Sequence, residues 1–143
     1  MDMNSNDFEF LNLLKKGESI KVIGQKLGIP KSTAYYQFNK LKKSGYIQGL
    51  KVNIDYEKNG DGKTALIMVE MNEPTDGNLS STIKKISENR IVSSAFVLKG
   101  EWNLMFTVNG TDENIDRLVK SDISDDKVIK RTQTLFITKH IEF

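Results

Sequence analysis

The first third of the chain carries apolar residues at the spacing of short amphipathic helices. Three segments, residues 5–16, 19–27 and 30–43, have an apolar residue every three or four positions, and a glycine follows each segment closely. The apolar positions of the three segments are Phe8, Leu11, Leu14, Ile20, Ile23, Leu27, Ala34, Phe38 and Leu41. The pattern predicts three consecutive helices, of which the second and third form a helix-turn-helix.

Polar residues and a proline mark the starts of these helices. Asn6 and Glu9 have the spacing of a capping box, and Ser19 is a candidate N-cap for the second helix. Pro30 suits the first turn of the third helix, where a missing N–H costs nothing. Residues 46–53 then predict a strand or ribbon, the wing of a winged helix-turn-helix.

The apolar pattern changes after a polar loop at residues 55–63. Apolar runs of strand length lie at residues 65–71, 91–98, 103–109 and 130–141, and helical patterns lie at residues 78–88 and 111–120. The order β-α-β-β-α-β predicts a ferredoxin-like fold, so the fold class is α+β. The predicted domains are a DNA-binding helix-turn-helix at 1–50, a linker strand and loop at 51–63, and the ferredoxin-like domain at 64–143.

The first predicted strand of the second domain is apolar on both faces. Ala65, Ile67 and Val69 alternate with Leu66 and Met68. Two short helices cover one face of a small sheet, so the other face needs a different partner. This pattern predicts a homodimer in which sheets meet.

Charge divides the chain in the same way. The net charge is only +2, but residues 1–50 contain eight lysines and four acidic residues, a net of +4, while residues 51–143 have a net of −2. No acidic residue occurs between Glu18 and Asp55. A basic N-terminal module joined to a slightly acidic body is typical of a protein that meets nucleic acid with one part.

Composition excludes several kinds of chemistry. The chain has no cysteine and a single histidine, His140, which excludes cysteine metal sites, thiol nucleophiles and two-histidine metal sites within one chain. We therefore expect no catalytic residue, no metal ligand and no cofactor. No apolar run reaches the roughly 18–20 residues of a membrane span, and the acidic, Asn-rich start is not a signal peptide. A soluble cytoplasmic protein is expected.

The polar face of the third helix is the candidate DNA-binding surface. Its hydroxyl and amide groups can address base edges, and its lysines can neutralise phosphates. The residues on this face are Lys31, Ser32, Thr33, Tyr35, Tyr36, Gln37, Lys40 and Lys43.

Residues 20–49 resemble the helix-turn-helix of the Lrp/AsnC (leucine-responsive, feast/famine) transcription regulators. The matching motifs are Gly28-Ile29-Pro30-Lys31-Ser32-Thr33 before the third helix, Leu41 within it, and Ser44-Gly45-Tyr46-Ile47 after it. The βαββαβ order resembles the RAM domain of that family. The family's Gly-x-x-Asp turn and Thr-x-Thr strand correspond to Gly100-Glu101-Trp102-Asn103 and Thr132-Gln133-Thr134.

The resemblance implies a transcription regulator that binds double-stranded DNA as a dimer, assembles further to an octamer, and takes an amino-acid effector at contacts between dimers. The implied effector residues are Gly100, Glu101, Trp102, Asn103, Thr132 and Thr134. Trp102 has a second interpretation, as a plug in a subunit interface. Three positions depart from the family: Gln37 replaces the usual Arg, Lys42 replaces a frequent Glu, and Asn103 replaces the turn Asp. An ammonium group needs an anion, which Asn103 lacks, so Glu101 is the alternative.

Two other functions remain open from the sequence. One is a local or architectural DNA-binding regulator that responds to no ligand. The other is a ferredoxin-like metabolite-binding protein or enzyme in which the winged helix is incidental. The second alternative predicts no salt-sensitive DNA binding.

Overall fold

The computed structural model describes residues 2–52, 54–55, 58 and 62–143. The chain divides into two compact units, Met1–Asn53 and Ile54–Phe143. Part of the predicted linker, at 53, 56–57 and 59–61, lies outside the described residues.

The N-terminal unit consists of three helices, α1 (Ser5–Lys15), α2 (Ile20–Leu27) and α3 (Lys31–Lys43). The predicted Ser19 cap is confirmed, because its side chain accepts a hydrogen bond from the Val22 N–H. The capping box of α1 is formed instead by Asn4 and Asp7, two residues earlier than predicted. Side chains from all three helices and from the segment after α3 form one core, made of Phe10, Ile23, Ala34, Leu41 and Ile47.

The predicted wing is wrong for the described residues. Residues 46–52 follow α3 without forming a strand. Leu50 and Val52 are 69% and 85% exposed, so neither packs against the helices. A strand requires a neighbour that pairs with its N–H and C=O groups, and residues 47–52 take part in no strand pairing among the described residues.

In its described residues, the C-terminal unit contains four strands and two helical segments. The strands are β1 (Lys63–Met71), β2 (Val92–Val97), β3 (Leu104–Gly110) and β4 (Ile129–Phe136), and the helices are α4 (Asp76–Ser87) and α5 (Asp112–Arg117). The sheet order is β2-β3-β1-β4, and the neighbouring strands are antiparallel. The predicted α+β class, with a helix-turn-helix followed by a βαββαβ domain, is confirmed.

One face of the sheet forms the core of this unit. Side chains at alternate positions of β1, including Ile67 and Val69, are fully buried together with Phe106 of β3. Ile86 of α4 and Ile115 of α5 pack against them. The helices therefore cover this face alone, and we call the other one the open face.

Two element boundaries differ from the sequence prediction. The helix predicted at residues 111–120, which is α5, continues past Lys120 as a π-helical segment, Leu118–Ile123, because Leu118 and Ile123 are both buried in the core. β4 ends at Phe136 rather than near Ile141. The Ile137 N–H donates to the Thr64 carbonyl, so β4 ends next to the described start of β1 at Lys63.

His140 is exposed and lies outside β4, not on it as predicted. In the described part of the chain, no helix combines the length and the apolar character that a membrane crossing requires.

Candidate functional site

The helix α3 is held by close packing against α2. Ala34 and Leu41 are fully buried, and Phe38 packs beside them. Gly24 of α2 lies so close to α3 that an added Cβ would be 3.3 Å from the Ala34 Cβ. Small residues at this crossing bring the two helices together and leave the opposite side of α3 outside the core.

Most of the predicted DNA-binding residues lie on that outer side. Ser32, Thr33, Lys40 and Lys43 are exposed, and Tyr36 is the most exposed aromatic of the helix, at 70%. The neighbouring Lys31 and Tyr35 are also exposed, and the Lys31 ammonium lies 5.9 Å from the Tyr35 ring centre. The outer side of α3 therefore presents cations, hydroxyls and aromatic rings together.

Gln37 is the exception among the predicted residues. Its side chain is half-buried, and its Nε2 donates a hydrogen bond of 3.0 Å to Oδ1 of Asp7 in α1. The other carboxylate oxygen of Asp7 accepts a bond of 3.1 Å from the Asn4 N–H. These hydrogen bonds, the Asn4 N–H foremost, hold the pKa of Asp7 below its usual range.

Asp7 is a residue that the sequence interpretation missed. Its position three residues after Asn4 is the detectable signal, because that spacing defines a capping box. Its contact with Gln37, 30 residues later, has no signal in a single sequence. A cavity of about 310 Å³ opens beside the pair, and its lining includes Glu9, Thr33, Tyr36 and Lys40.

In the C-terminal unit, the turn between β2 and β3 contains four of the predicted effector residues. Gly100 has a φ of +150°, which favours glycine, and so allows the chain to reverse. Asn103 already makes hydrogen bonds within the protein. Its Oδ1 accepts a 2.7 Å bond from the Met71 N–H, and its backbone N–H donates to the Val69 carbonyl. The Asn103 side chain thus ties the turn to the end of β1.

Glu101 and Trp102 of this turn contact Arg131, which the sequence interpretation did not single out. The Arg131 guanidinium donates hydrogen bonds to Glu101 and to Glu70, and its central carbon lies 4.4 Å from the centre of the Trp102 ring. The Lys130 ammonium lies 3.4 Å from a Glu70 oxygen. The hydrogen bond from Arg131 lowers the pKa of Glu70, and those with Glu70 and Glu101 raise the pKa of Arg131.

Thr132 and Thr134 do not join this cluster. In the antiparallel register Thr132 is opposite Val69 and Thr134 is opposite Ile67, so both lie on the helix-covered face. Arg131 is opposite Glu70 and lies on the open face. The six predicted effector residues therefore fall into two groups, four in the turn between β2 and β3 and two on the helix-covered face of β4.

The open face has an apolar centre. Met68 of β1 is opposite Met105 of β3, which is opposite Phe96 of β2, while Leu66 is opposite Leu135. Phe96 and Leu135 are 44% and 43% exposed, and the other three are half-buried. This apolar patch continues towards the Arg131 cluster at one end of the sheet.

Nothing in the described residues forms a metal centre, because no three acidic or histidine side chains gather there. A helix-turn-helix with an exposed basic helix, joined to a ferredoxin-like unit with an open apolar sheet face, defines a class of two-unit DNA-binding regulators.

Sequence comparison finds relatives of the same class. The chain is 30% identical over 134 residues to an uncharacterized HTH-type transcriptional regulator of Pyrococcus furiosus, covering 91% of this chain and 88% of the relative. It is 25% identical over 141 residues to a second such regulator of that organism, and the match covers 95% of this chain and 94% of the relative. No protein-family model matches the chain.

Solved structures share the fold. AsnC of E. coli has a TM-score of 0.78 at 16% identity, with 100% of this chain and 97% of AsnC covered. A transcriptional regulator of Neisseria meningitidis, solved as a complex with L-Met, has a TM-score of 0.83 at 17% identity, with 99% and 94% covered. The chain belongs to the Lrp/AsnC family of HTH-type transcription regulators.

The Arg131 cluster predicts a pH dependence of stability. A carboxyl group whose pKa is lower in the folded state than in the unfolded state stabilises the folded state at every pH above the unfolded-state pKa. This stabilisation is lost as the pH falls through the folded-state pKa. We expect Glu70→Gln to have a lower free energy of unfolding than the wild type at pH 7. This difference should shrink as the pH falls below 4.5, the ordinary pKa of a glutamate. Urea unfolding at pH 7, 5, 4 and 3 measures it.

The matched control is Glu73→Gln, which changes an exposed glutamate just after β1. A difference that is the same at pH 7 and at pH 3 for Glu70→Gln would refute the role of the Arg131 hydrogen bond.

Proposed function

We propose that this DNA-binding transcription regulator reads duplex DNA with the outer side of α3 and does so as a homodimer. The observation that carries the proposal is the exposed set of lysines, hydroxyls and tyrosines on a helix whose other side is fully buried. Lys31, Lys40 and Lys43 would neutralise phosphates, while Ser32, Thr33 and Tyr36 would face base edges. Tyr35 would contact the DNA beside Lys31.

The proposed DNA contact makes a mutational prediction. We expect Lys31→Ala and Tyr36→Ala each to weaken operator binding by about 1–3 kcal/mol and to leave the oligomeric state unchanged. The operator is first obtained by selecting bound DNA from a random pool, and affinities are then measured by fluorescence anisotropy.

Lys84→Ala is the matched control, since it removes an exposed lysine from α4, outside the helix-turn-helix. Removing a lysine that contacts a phosphate should also reduce the salt slope by about one unit. Unchanged affinity in both α3 variants would show that another surface binds the DNA. Salt-insensitive binding would favour the metabolite-binding alternative.

The proposed homodimer would bury the open face of the sheet. Its apolar patch, Leu66, Met68, Phe96, Met105 and Leu135, has no helix over it. Leu50, Val52 and Ile54 are also exposed and alternate with other residues, a strand pattern that a second copy could pair with. Two recognition helices could then enter successive major grooves about one helical turn apart, about 34 Å. Further assembly to an octamer rests on the family resemblance.

A charge placed in the patch should break the dimer. We expect Phe96→Glu to reduce the mass found by sedimentation equilibrium to that of one 16.2 kDa chain, because a buried unpaired carboxylate is strongly unfavourable. Ser81→Glu, at an exposed position of α4, is the control and should keep the wild-type mass. A wild-type monomer, or a Phe96→Glu dimer, would contradict this interface.

An amino acid is the proposed effector, supported by the complex of the Neisseria relative with L-Met. The turn at Gly100–Asn103 would hold the ligand carboxylate with backbone N–H groups. The ammonium group requires Glu101, which is paired with Arg131, because the Asn103 oxygen already accepts a hydrogen bond. Thr132 and Thr134 would take part only from the other side of the sheet. A regulator without effector is the alternative, and these internal pairings favour it.

Removing Arg131 should release Glu101 for a ligand. We expect Arg131→Met to bind an amino acid about twofold to fivefold more tightly than the wild type, the range typical of an exposed ion pair. Calorimetric titration with L-methionine and the other standard amino acids measures it, and Arg90→Met, an exposed arginine elsewhere, is the control. No binding to either protein would support the ligand-independent regulator.

A further inference from the structure

One buried carboxylate joins the start of α1 to the middle of α3. Asp7 is 3% exposed, and both of its oxygens are used. Oδ2 accepts the Asn4 N–H at 3.1 Å, which caps α1, and Oδ1 accepts the Gln37 amide at 3.0 Å, which belongs to α3. The same side chain therefore fixes the end of one helix and contacts the proposed DNA-reading helix.

The contact lies where a small movement of α3 would matter. Gln37 follows Tyr36 directly and lies one turn after Thr33 and one turn before Lys40, so it adjoins the residues that face DNA in our proposal. Ala34 and Leu41 fix the buried side of α3 by packing, which tolerates small rotations better than a directional hydrogen bond does. Asp7 adds that directional contact from α1.

We propose that Asp7 is a positioning residue for DNA recognition: through Gln37 it sets the rotation of α3, and Gln37 itself reads no base. The proposal rests on the assignment of α3 as the DNA-binding helix. It also changes the set of base-contacting candidates, because the Gln37 amide is engaged inside the protein rather than offered to a groove.

A carboxylate is the group that this position needs. It accepts hydrogen bonds at both oxygens, whereas an asparagine would turn an NH₂ group towards one of its two donors. Its negative charge would repel DNA phosphates if it were exposed, but here it is buried, and Lys40 lies close enough to lower its pKa further. The charge can therefore hold α3 while the outer surface stays basic.

The test is a double-mutant cycle on operator affinity, with the operator selected from a random pool by the wild-type chain. We expect Asp7→Asn and Gln37→Met each to weaken specific binding about fivefold to tenfold, and the double variant to be no weaker than the worse single variant. The preferred base sequence should be the same for all four proteins, because none of them loses a base contact.

Gln37→Arg provides the conservative rescue. A guanidinium donates well to a carboxylate, so Gln37→Arg should bind the operator more tightly than Gln37→Met when Asp7 is present. When Asp7 is changed to Asn, this advantage of Arg over Met should shrink. Gln37→Met and Gln37→Arg both leave the α1 capping box intact, so the difference between these two variants and the base preference of Gln37→Met are measured even where Asp7→Asn fails to fold.

Additive losses in the cycle would overturn the proposal. So would an altered base preference at one operator position in Gln37→Met, since Gln37 would then read that base. Failure of the DNA-binding assignment is distinguishable, because in that case Lys31→Ala and Tyr36→Ala would also leave binding unchanged.

Discussion

The strand β1 contributes apolar side chains to both faces of the sheet, and the described helices of the C-terminal unit cover only one of them. Ile67 and Val69 are buried under α4 and α5, while Leu66 and Met68 lie on the open face with Phe96. Because β1 lies between β3 and β4, its side chains are at the middle of each face, where exposure to water costs most. The homodimer that we propose follows from this constraint, since a second chain would bury the open face.

The N-terminal unit buries its apolar side chains in a core of its own. Its five core side chains come from three helices and the segment after them, and Gly24 allows α2 and α3 to approach closely. This leaves one side of α3 without any packing role. A helix fixed on one side and free on the other can present side chains to a ligand without losing its own stability.

Periodicity predicted the helices and strands because each has a buried stripe or alternation that depends on local spacing. It failed where the outcome depends on distant partners. Residues 46–53 have strand composition, but residues 47–52 pair with no strand among the described residues, and β4 ends next to the described start of β1. In the candidate sites, the exposed residues of α3 were predictable from helical geometry. The contact of Asp7 with Gln37 and those of Arg131 with the two glutamates were not, because these partners are 30 or more residues apart in the sequence.

The cluster around Arg131 has a consequence for how such a regulator would respond to its surroundings. Its guanidinium already pairs with Glu70 and Glu101 and lies over the Trp102 ring. An incoming ammonium group would exchange one ion pair for another instead of creating a new one, so most of the attraction cancels. A sensor built on such an exchange ignores scarce metabolites and switches only when they are abundant, which sets a high threshold without any change in the shape of the site.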